Sequence, residues 1–165
     1  MKRLLIIRHA KSSWDNPDLT DFDRPLNKRG KRDLPDMAER LKNLDIPIDL
    51  FVSSPAKRAF LTAIGHAKAF GIKPEQIRQD QQIYHASSNT LRRVVSETND
   101  RFTTIALFGH NPGLTDLIND LCDADLWNLP TCSVFGIAFD ISSWSEILQA
   151  SGRQFHYDFP KSRHH

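Results

Sequence analysis

The chain has 165 residues, of which 39% are hydrophobic and 25% are charged, as in a single globular domain with a buried core. Its 22 basic and 20 acidic residues leave a formal net charge of +2, which argues against binding to nucleic acid or membranes through bulk charge. No apolar run approaches the roughly 20 residues of a membrane span, and Cys122 and Cys132 lack metal-site spacing. We therefore expect a cytoplasmic protein with two free thiols, one domain over residues 1–160 and a polar tail over residues 161–165.

The first part of the chain predicts a strand, a long loop and a helix. Leu4 to Ile7 is a short continuous apolar run, which is typical of a strand buried on both faces. Residues 11–27 are polar and rich in turn-forming residues, and a loop of this length is often functional. Apolar residues at helical spacing then predict a helix over residues 31–43, with Pro35 near its first turn or at a kink.

The middle of the chain repeats this alternation. Residues 49–53, DLFVS, predict a second strand. A helix follows, for which Ser54 is the expected N-cap and Pro55 the expected first position. A weak third strand is predicted over residues 76–84 and a short helix over residues 91–99.

The last part of the chain adds two strands and a helix. Residues 104–108, TIALF, predict a buried strand that breaks at the sequence GHNPG, and a helix is expected over residues 114–121. Residues 134–140 predict a final strand. Strands that alternate with helices indicate a single three-layer α/β domain, with a largely parallel central sheet and helices on both faces. Such sheets bind ligands beyond the carboxyl ends of their strands.

Basic side chains follow three of the predicted strands. Arg8 and His9 end the first strand, Arg58 lies just after the second, and His110 follows the strand TIALF. If these strands are parallel neighbours, two guanidinium groups and two imidazoles converge at one edge of the sheet. Forked guanidinium groups next to a helix N-terminus favour an anion. The sequence therefore predicts a phosphate site.

Chemistry at such a site needs a nucleophile. The sequence has no P-loop glycine pattern, no cysteine at a strand end and no carboxylate pair at metal-ligand spacing. His9 is the available group, because a neutral imidazole nitrogen can attack phosphorus and form a covalent phosphohistidine. Arginines would then neutralise the equatorial oxygens. We therefore expect phosphoryl chemistry that uses no metal and no cofactor.

Three fragments carry a resemblance to a known family. RHAKSSW, DFDRPLNKRG and GHNPG occur in this order, with SSPAKR between the second and the third. Together they resemble the histidine phosphatase superfamily, which has a phosphoglycerate-mutase-like fold, and in particular its SixA-type branch of phosphohistidine phosphatases. The resemblance covers most of the chain.

The resemblance implies roles for seven residues. It assigns the catalytic phosphate pocket, with His9 as the phosphorylated nucleophile, to four of them: His9, Arg8, Arg58 and His110. It assigns substrate contacts to three more: Arg24, Asn111 and His85. It also implies a partner, a protein that carries phosphohistidine such as a phosphotransfer domain, and inorganic phosphate as the product.

The sequence departs from the superfamily pattern at the proton donor. Many members carry a Glu or Asp near the third strand, whereas this chain reads IYHASSNT there and its next carboxylate is Glu97. An alkoxide leaving group needs a proton in the transition state, but the imidazole that leaves phosphohistidine is far less basic. The missing acid therefore favours phosphohistidine or aryl phosphates over sugar phosphates. Four loop residues stay open as proton sources: Asp18, Asp21, Asp23 and His85.

Two alternatives to a phosphohistidine phosphatase remain at this point. One is a small-molecule phosphomonoesterase or mutase of the same superfamily, which the short chain and the missing acid disfavour. The other is a non-catalytic module that binds phosphate or phosphohistidine, which has no need of a nucleophile such as His9. Trp14, Trp127 and Trp144 are interpreted as core or rim packing residues and not as stacking surfaces for substrate.

Overall fold

Six strands form one sheet in the computed structural model, which describes residues 1–163. In chain order they are β1 (Lys2–Arg8), β2 (Leu50–Ser53), β3 (Arg78–Gln79), β4 (Thr104–Gly109), β5 (Val134–Phe139) and β6 (Arg153–Asp158). Across the sheet the order is β3-β2-β4-β1-β5-β6. Strand β5 is antiparallel to both of its neighbours, whereas every other pairing is parallel. β1 therefore lies inside the sheet with a parallel strand on one side and an antiparallel strand on the other.

Four helices cover the two faces of the sheet. They are α1 (Lys28–Lys42), α2 (Lys57–Ala69), α3 (Ser88–Ser96) and α4 (Gly113–Leu121). Side chains alternate along β1, so Leu5 and Ile7 pack with α1 and α2, whereas Leu4 and Ile6 pack with α3 and α4. All four side chains are fully buried, and each such burial contributes roughly 1.5–3 kcal/mol. The predicted three-layer α/β domain is confirmed.

Helix boundaries differ from the predicted ones because the capping residues lie earlier in the chain. Helix α1 begins at Lys28, three residues before the prediction, since the Asn27 side chain accepts a hydrogen bond from the Gly30 N–H at 2.8 Å. Pro35 is consequently inside the helix and beyond its first turn. Helix α3 begins at Ser88 and not at residue 91, because the Ser87 side chain accepts from the N–H of Thr90.

The prediction at the start of α2 was wrong. Ser54 is not the N-cap and Pro55 is not the first helical residue, because the helix begins at Lys57 after Ala56. The hydroxyl oxygen of Ser54 does accept from the Ala56 N–H at 3.2 Å, which turns the chain between β2 and the helix. The side chain of Ser54 is thereby free to serve a different partner, described below.

Two edge strands also differ from the expectation. β3 has only two residues, and the rest of the segment predicted as strand over residues 76–84 forms 3₁₀ turns. β6 was not predicted, and it pairs with the strand that the sequence indicated as the last one. Both cysteines are free and buried, as predicted. Residues 160–163 form a short 3₁₀ turn, and residues 164 and 165 of the predicted tail lie outside the described residues. Among residues 1–163, no helix combines the length and the apolar character needed to cross a membrane.

Candidate active site

A cavity of about 230 Å³ lies at the carboxyl ends of β1 and β4. The four predicted catalytic residues line it together with Arg24 and Asn111. A larger groove of about 580 Å³ runs between α1 and α2, but its lining is mainly apolar and includes none of the predicted site residues. The polar cavity is therefore the candidate active site.

The sheet register brings the site residues together. Arg8 of β1 is level with Gly109 of β4, and Ser53 of β2 is level with Phe108. The segments that leave these three adjacent parallel strands therefore begin at the same edge. His9 continues the pairing, since its N–H donates to the Gly109 carbonyl at 3.2 Å. The predicted convergence of the basic side chains follows directly from this order.

His9 is a buried and neutral imidazole. Its Nδ1 lies 2.8 Å from the carbonyl oxygen of Ala10, and because a carbonyl can only accept, Nδ1 carries the hydrogen and Nε2 keeps its lone pair. The residue is only 7% exposed. Burial lowers the pKa of His9, the hydrogen bond to the Ala10 carbonyl opposes it, and the positive charges of Arg8 and Arg58 add to the lowering, so that the pKa is about 3. The ring is therefore uncharged at neutral pH, as a nucleophile must be.

His110 stands beside His9, with ring centroids 5.4 Å apart. Its Nε2 lies 2.8 Å from the hydroxyl oxygen of Ser54, so the residue expected to cap α2 instead orients this imidazole. Burial and the neighbouring His9 and Arg58 lower the pKa of His110 to about 3. When Ser54 donates its hydroxyl hydrogen to Nε2, the neutral ring carries its own hydrogen on Nδ1.

Three nitrogens at the cavity are buried without a hydrogen-bond partner among the described residues. They are Nε of Arg8, Nε of Arg58 and Nδ1 of His110. An unsatisfied buried donor costs about 1–3 kcal/mol, and a phosphate bound in the cavity that these three residues line would supply charged acceptors to them. Burial, together with the charge of Arg58, also lowers the pKa of Arg8. An anion placed between the two guanidinium groups would relieve that repulsion.

Asp21 connects several of these groups. Its backbone carbonyl accepts from Arg58 Nη1 at 2.7 Å and its carboxylate accepts from Arg58 Nη2 at 3.0 Å. The same carboxylate accepts from Arg24 Nη2 at 2.9 Å and from the Tyr84 hydroxyl at 2.6 Å. Partial desolvation raises the pKa of Asp21, but the hydrogen bonds from Tyr84, Arg24 and Arg58 together hold it well below its usual range. Asp21 is therefore ionised at neutral pH and does not carry a proton to donate.

Comparison with known proteins agrees with this geometry. Residues 4–83 match the family model of the histidine phosphatase superfamily (branch 1). Over 159 residues the chain is 30% identical to an uncharacterised chloroplastic protein of Arabidopsis thaliana, and the match covers 92% of this chain and 72% of that protein. The chain belongs to the histidine phosphatase superfamily. The family predicted from the three sequence fragments is thereby confirmed.

Two further comparisons involve proteins with a named activity. The chain is 38% identical over 88 residues to phosphoserine phosphatase 1 of Hydrogenobacter thermophilus, and the match covers 50% of this chain and 38% of that one. Its fold superimposes with a TM-score of 0.82 on a crystal structure from Agrobacterium tumefaciens assigned as a phosphohistidine phosphatase SixA. That pair is 25% identical and the match covers 96% of this chain and 98% of the other.

The three predicted substrate contacts have different positions in the structure. Arg24 lines the cavity, where its Nη1 donates to Ser12 Oγ at 2.7 Å. Asn111 also lines it, but its amide nitrogen donates to the Leu129 carbonyl and its amide oxygen accepts from Thr115, so the amide is already engaged. His85 lies in an adjacent cavity of about 280 Å³ and not in the catalytic one.

The three tryptophans, interpreted as core or rim packing residues, have different surroundings. Trp144 is fully buried, whereas Trp14 is 74% and Trp127 is 96% exposed. Trp14 lines the catalytic cavity, and the Arg24 guanidinium lies 3.5 Å from its ring centroid. The sequence signal was present, since Trp14 belongs to the fragment RHAKSSW, six residues after the arginine that ends β1.

Proposed function

We propose that the protein is a phosphatase that hydrolyses phosphohistidine on a protein through a covalent phosphohistidine intermediate on His9. One observation carries the proposal. A buried, neutral imidazole with a free Nε2 lone pair stands next to three buried nitrogens that lack partners among the described residues, at Arg8, Arg58 and His110. This combination suits attack on a phosphoryl group, because the nucleophile is uncharged and the surrounding donors match its oxygens.

The reaction has two steps. In the first, Nε2 of His9 forms a bond to phosphorus as the bond from phosphorus to the leaving group breaks, and Arg8, Arg58 and His110 bind the three equatorial oxygens. In the second, water attacks phosphorus and the bond to His9 breaks. The electron pair of the P–N bond returns to Nε2, so His9 is again a neutral imidazole with its hydrogen on Nδ1. The water oxygen and its hydrogens leave on inorganic phosphate, which passes one proton to solvent at neutral pH.

The state of Asp21 supports phosphohistidine as the substrate class. This carboxylate is the acidic side chain hydrogen-bonded to Arg58 and Arg24, and it is held in its ionised form. An alkoxide would leave without a proton from Asp21. A phosphohistidine whose other ring nitrogen is protonated instead releases neutral imidazole, which takes the electron pair of the P–N bond and needs no further proton. The structural similarity to the Agrobacterium tumefaciens protein assigned as SixA supports the same class of substrate, phosphohistidine. The expected partner is a phosphotransfer domain.

A second candidate is a small-molecule phosphomonoesterase. The observation in its favour is the 38% identity to a phosphoserine phosphatase over half of this chain. The two candidates share the His9 chemistry and differ in the leaving group. A comparison of kcat/KM for a phosphohistidine protein, phosphoserine, an aryl phosphate and a sugar phosphate separates them, and we expect the phosphohistidine protein to be preferred.

The His9→Ala variant tests the mechanism. We expect kcat to fall by at least about 1,000-fold, and we expect the wild-type protein to show a phosphoenzyme by intact mass after quenching in alkaline denaturant, since phosphohistidine is labile to acid. His156→Gln, on the edge strand β6, is the matched control and should keep both. Phosphate binding without any phosphoenzyme would indicate the non-catalytic module. Turnover by His9→Ala at the wild-type rate would exclude His9 as the nucleophile.

A further inference from the structure

We propose that Trp14 determines substrate specificity by stacking against the ring of an aromatic leaving group, the imidazole of phosphohistidine in the first place. The inference rests on the proposed function, because it concerns the group that departs when His9 attacks. The residues described above bind the phosphoryl oxygens, whereas Trp14 would select the leaving group.

The position of Trp14 suits such a contact. Its side chain lines the same cavity as His9, and it is 74% exposed. The other described residues that line the cavity are charged, are imidazoles or are small and polar, so Trp14 alone offers an extended apolar surface there. A phosphate needs only the polar part of the cavity. The indole is therefore suited to the part of the substrate that is neither phosphate nor charge.

The indole is also fixed before any substrate arrives. Arg24 covers one of its faces, with the guanidinium 3.5 Å from the ring centroid. Arg24 is itself fixed, since Nη1 donates to Ser12 Oγ at 2.7 Å and Nη2 donates to Asp21 at 2.9 Å. The neighbouring Ser13 N–H donates to the Pro25 carbonyl at 2.8 Å. A ring that is already oriented loses little entropy when a second ring stacks on its free face.

The same arrangement couples the two parts of the substrate site. Arg24 contacts the indole through its flat face and Asp21 through its edge, and Asp21 in turn contacts the phosphate-site residue Arg58. The stacking surface is therefore linked to the phosphate site through the side chains of Arg24 and Asp21. A leaving group whose ring is attached directly to phosphorus, as in phosphohistidine or an aryl phosphate, suits such a linked pair of surfaces better than a flexible alkyl group does.

The test compares leaving groups with and without a ring. Trp14→Ala, Trp14→Phe and Trp127→Ala are assayed with a phosphohistidine peptide, p-nitrophenyl phosphate and acetyl phosphate, which has a good leaving group but no ring. An intact phosphohistidine protein is assayed in parallel. Aromatic stacking contributes about 3- to 10-fold in rate. We expect Trp14→Ala to lower kcat/KM by that factor for the two ring substrates relative to acetyl phosphate, and Trp14→Phe to restore most of it. Trp127 is 96% exposed and does not line the cavity, so its variant should behave as wild type.

Two results would overturn the proposal. An equal loss on all three substrates would mean that Trp14 acts only by supporting Arg24. A loss on an intact phosphohistidine protein, with the peptide and p-nitrophenyl phosphate unaffected, would mean that Trp14 contacts the protein surface and not the leaving group. If the wild-type protein fails on both phosphohistidine substrates, the proposed function fails by itself, and the pair of p-nitrophenyl phosphate and acetyl phosphate still tests Trp14.

Discussion

The protonation state of His9 can be tested by lowering the pH from 7 to 5.5. A histidine with the ordinary pKa of about 6.5 is roughly 76% neutral at pH 7 and roughly 9% neutral at pH 5.5, which is an eightfold loss of nucleophile. The pKa of His9 is instead lowered to about 3. The neutral fraction then stays above roughly 99% across the whole interval, so we expect no loss from this group.

The assay is kcat/KM for p-nitrophenyl phosphate as a function of pH, because this ratio reports the ionisation of the free enzyme and the free substrate. The substrate has its own ionisation, which gives the logarithm of kcat/KM a slope of one on the acidic side. A nucleophile that titrated near 6.5 would add a second ionisation and an additional eightfold loss by pH 5.5. The ionisation of the substrate is measured separately. If kcat/KM shows a second ionisation near 6.5 that the substrate does not account for, His9 is not the neutral, buried imidazole described above.

Stability sets the acidic limit of this assay. His9 and His110 have pKa values lowered to about 3, and that of His66 is lowered to about 4, chiefly by burial. These pKa values lie below the pKa of a histidine in the unfolded chain, so the unfolded chain takes up protons first as the pH falls through 6.5. The contribution of these groups to the free energy of unfolding is therefore fully present above that pH, and it declines as the pH falls towards the folded pKa values. Between pH 7 and 5.5 each of these groups lowers the free energy of unfolding by about 1 kcal/mol. Circular dichroism must therefore show that the protein is folded at every pH used in the assay.

Three substitutions test other parts of the structure. His66→Leu removes a fully buried ring whose two nitrogens have no partner among the described residues. We expect urea denaturation to show a free energy of unfolding higher by about 1–2 kcal/mol at pH 7, and a weaker dependence of that free energy on pH. An unchanged pH dependence would contradict the burial argument. Thr62→Val removes the hydroxyl that accepts a hydrogen bond from the Ala10 N–H at 2.9 Å, and we expect the free energy of unfolding to fall by about 1–3 kcal/mol. Thr62→Ser keeps the hydroxyl and should lower it by about 1 kcal/mol. Equal losses in the two variants would argue against the hydrogen bond. Asp21→Asn removes the negative charge that accepts a hydrogen bond from Arg58, and we expect kcat/KM to fall by about 10-fold or more. The control Asp23→Asn, two residues away, should leave kcat/KM within about twofold. Equal effects of the two substitutions would show that Asp21 has no special role.

The central part of the fold could be predicted because it is encoded locally. The strands near residues 4–7, 49–53 and 104–108 are buried on both faces, and such burial leaves a continuous apolar run in the sequence. The edge strand β6 leaves no such run, since its residues RQFHYD are mostly exposed or half-buried and polar. It is a strand only because β5 offers it a partner, which is tertiary information.

The candidate site divides in the same way. Arg8, His9 and His110 could be placed from the sequence because each follows a recognisable strand. The role of Asp21 could not, since its bonds reach Arg58 and Tyr84, 37 and 63 residues along the chain. Contacts of that kind depend on how the loop over residues 11–27 folds across the end of the sheet, and no spacing within the loop records it.

The antiparallel direction of β5 has a consequence for how the candidate active site can diversify. Because β5 runs against its neighbours, the beginning of β5, and not its end, meets the site, and the preceding loop over residues 122–133 arrives at the cavity from the opposite side of β1. That loop supplies the Leu129 carbonyl to Arg8 and places Thr131 on the cavity wall. His9, Arg58 and His110 are attached to other elements. Changes at Thr131 can therefore reshape this side of the cavity over evolutionary time while the reacting groups stay in register, so that substrate choice and chemistry can change independently.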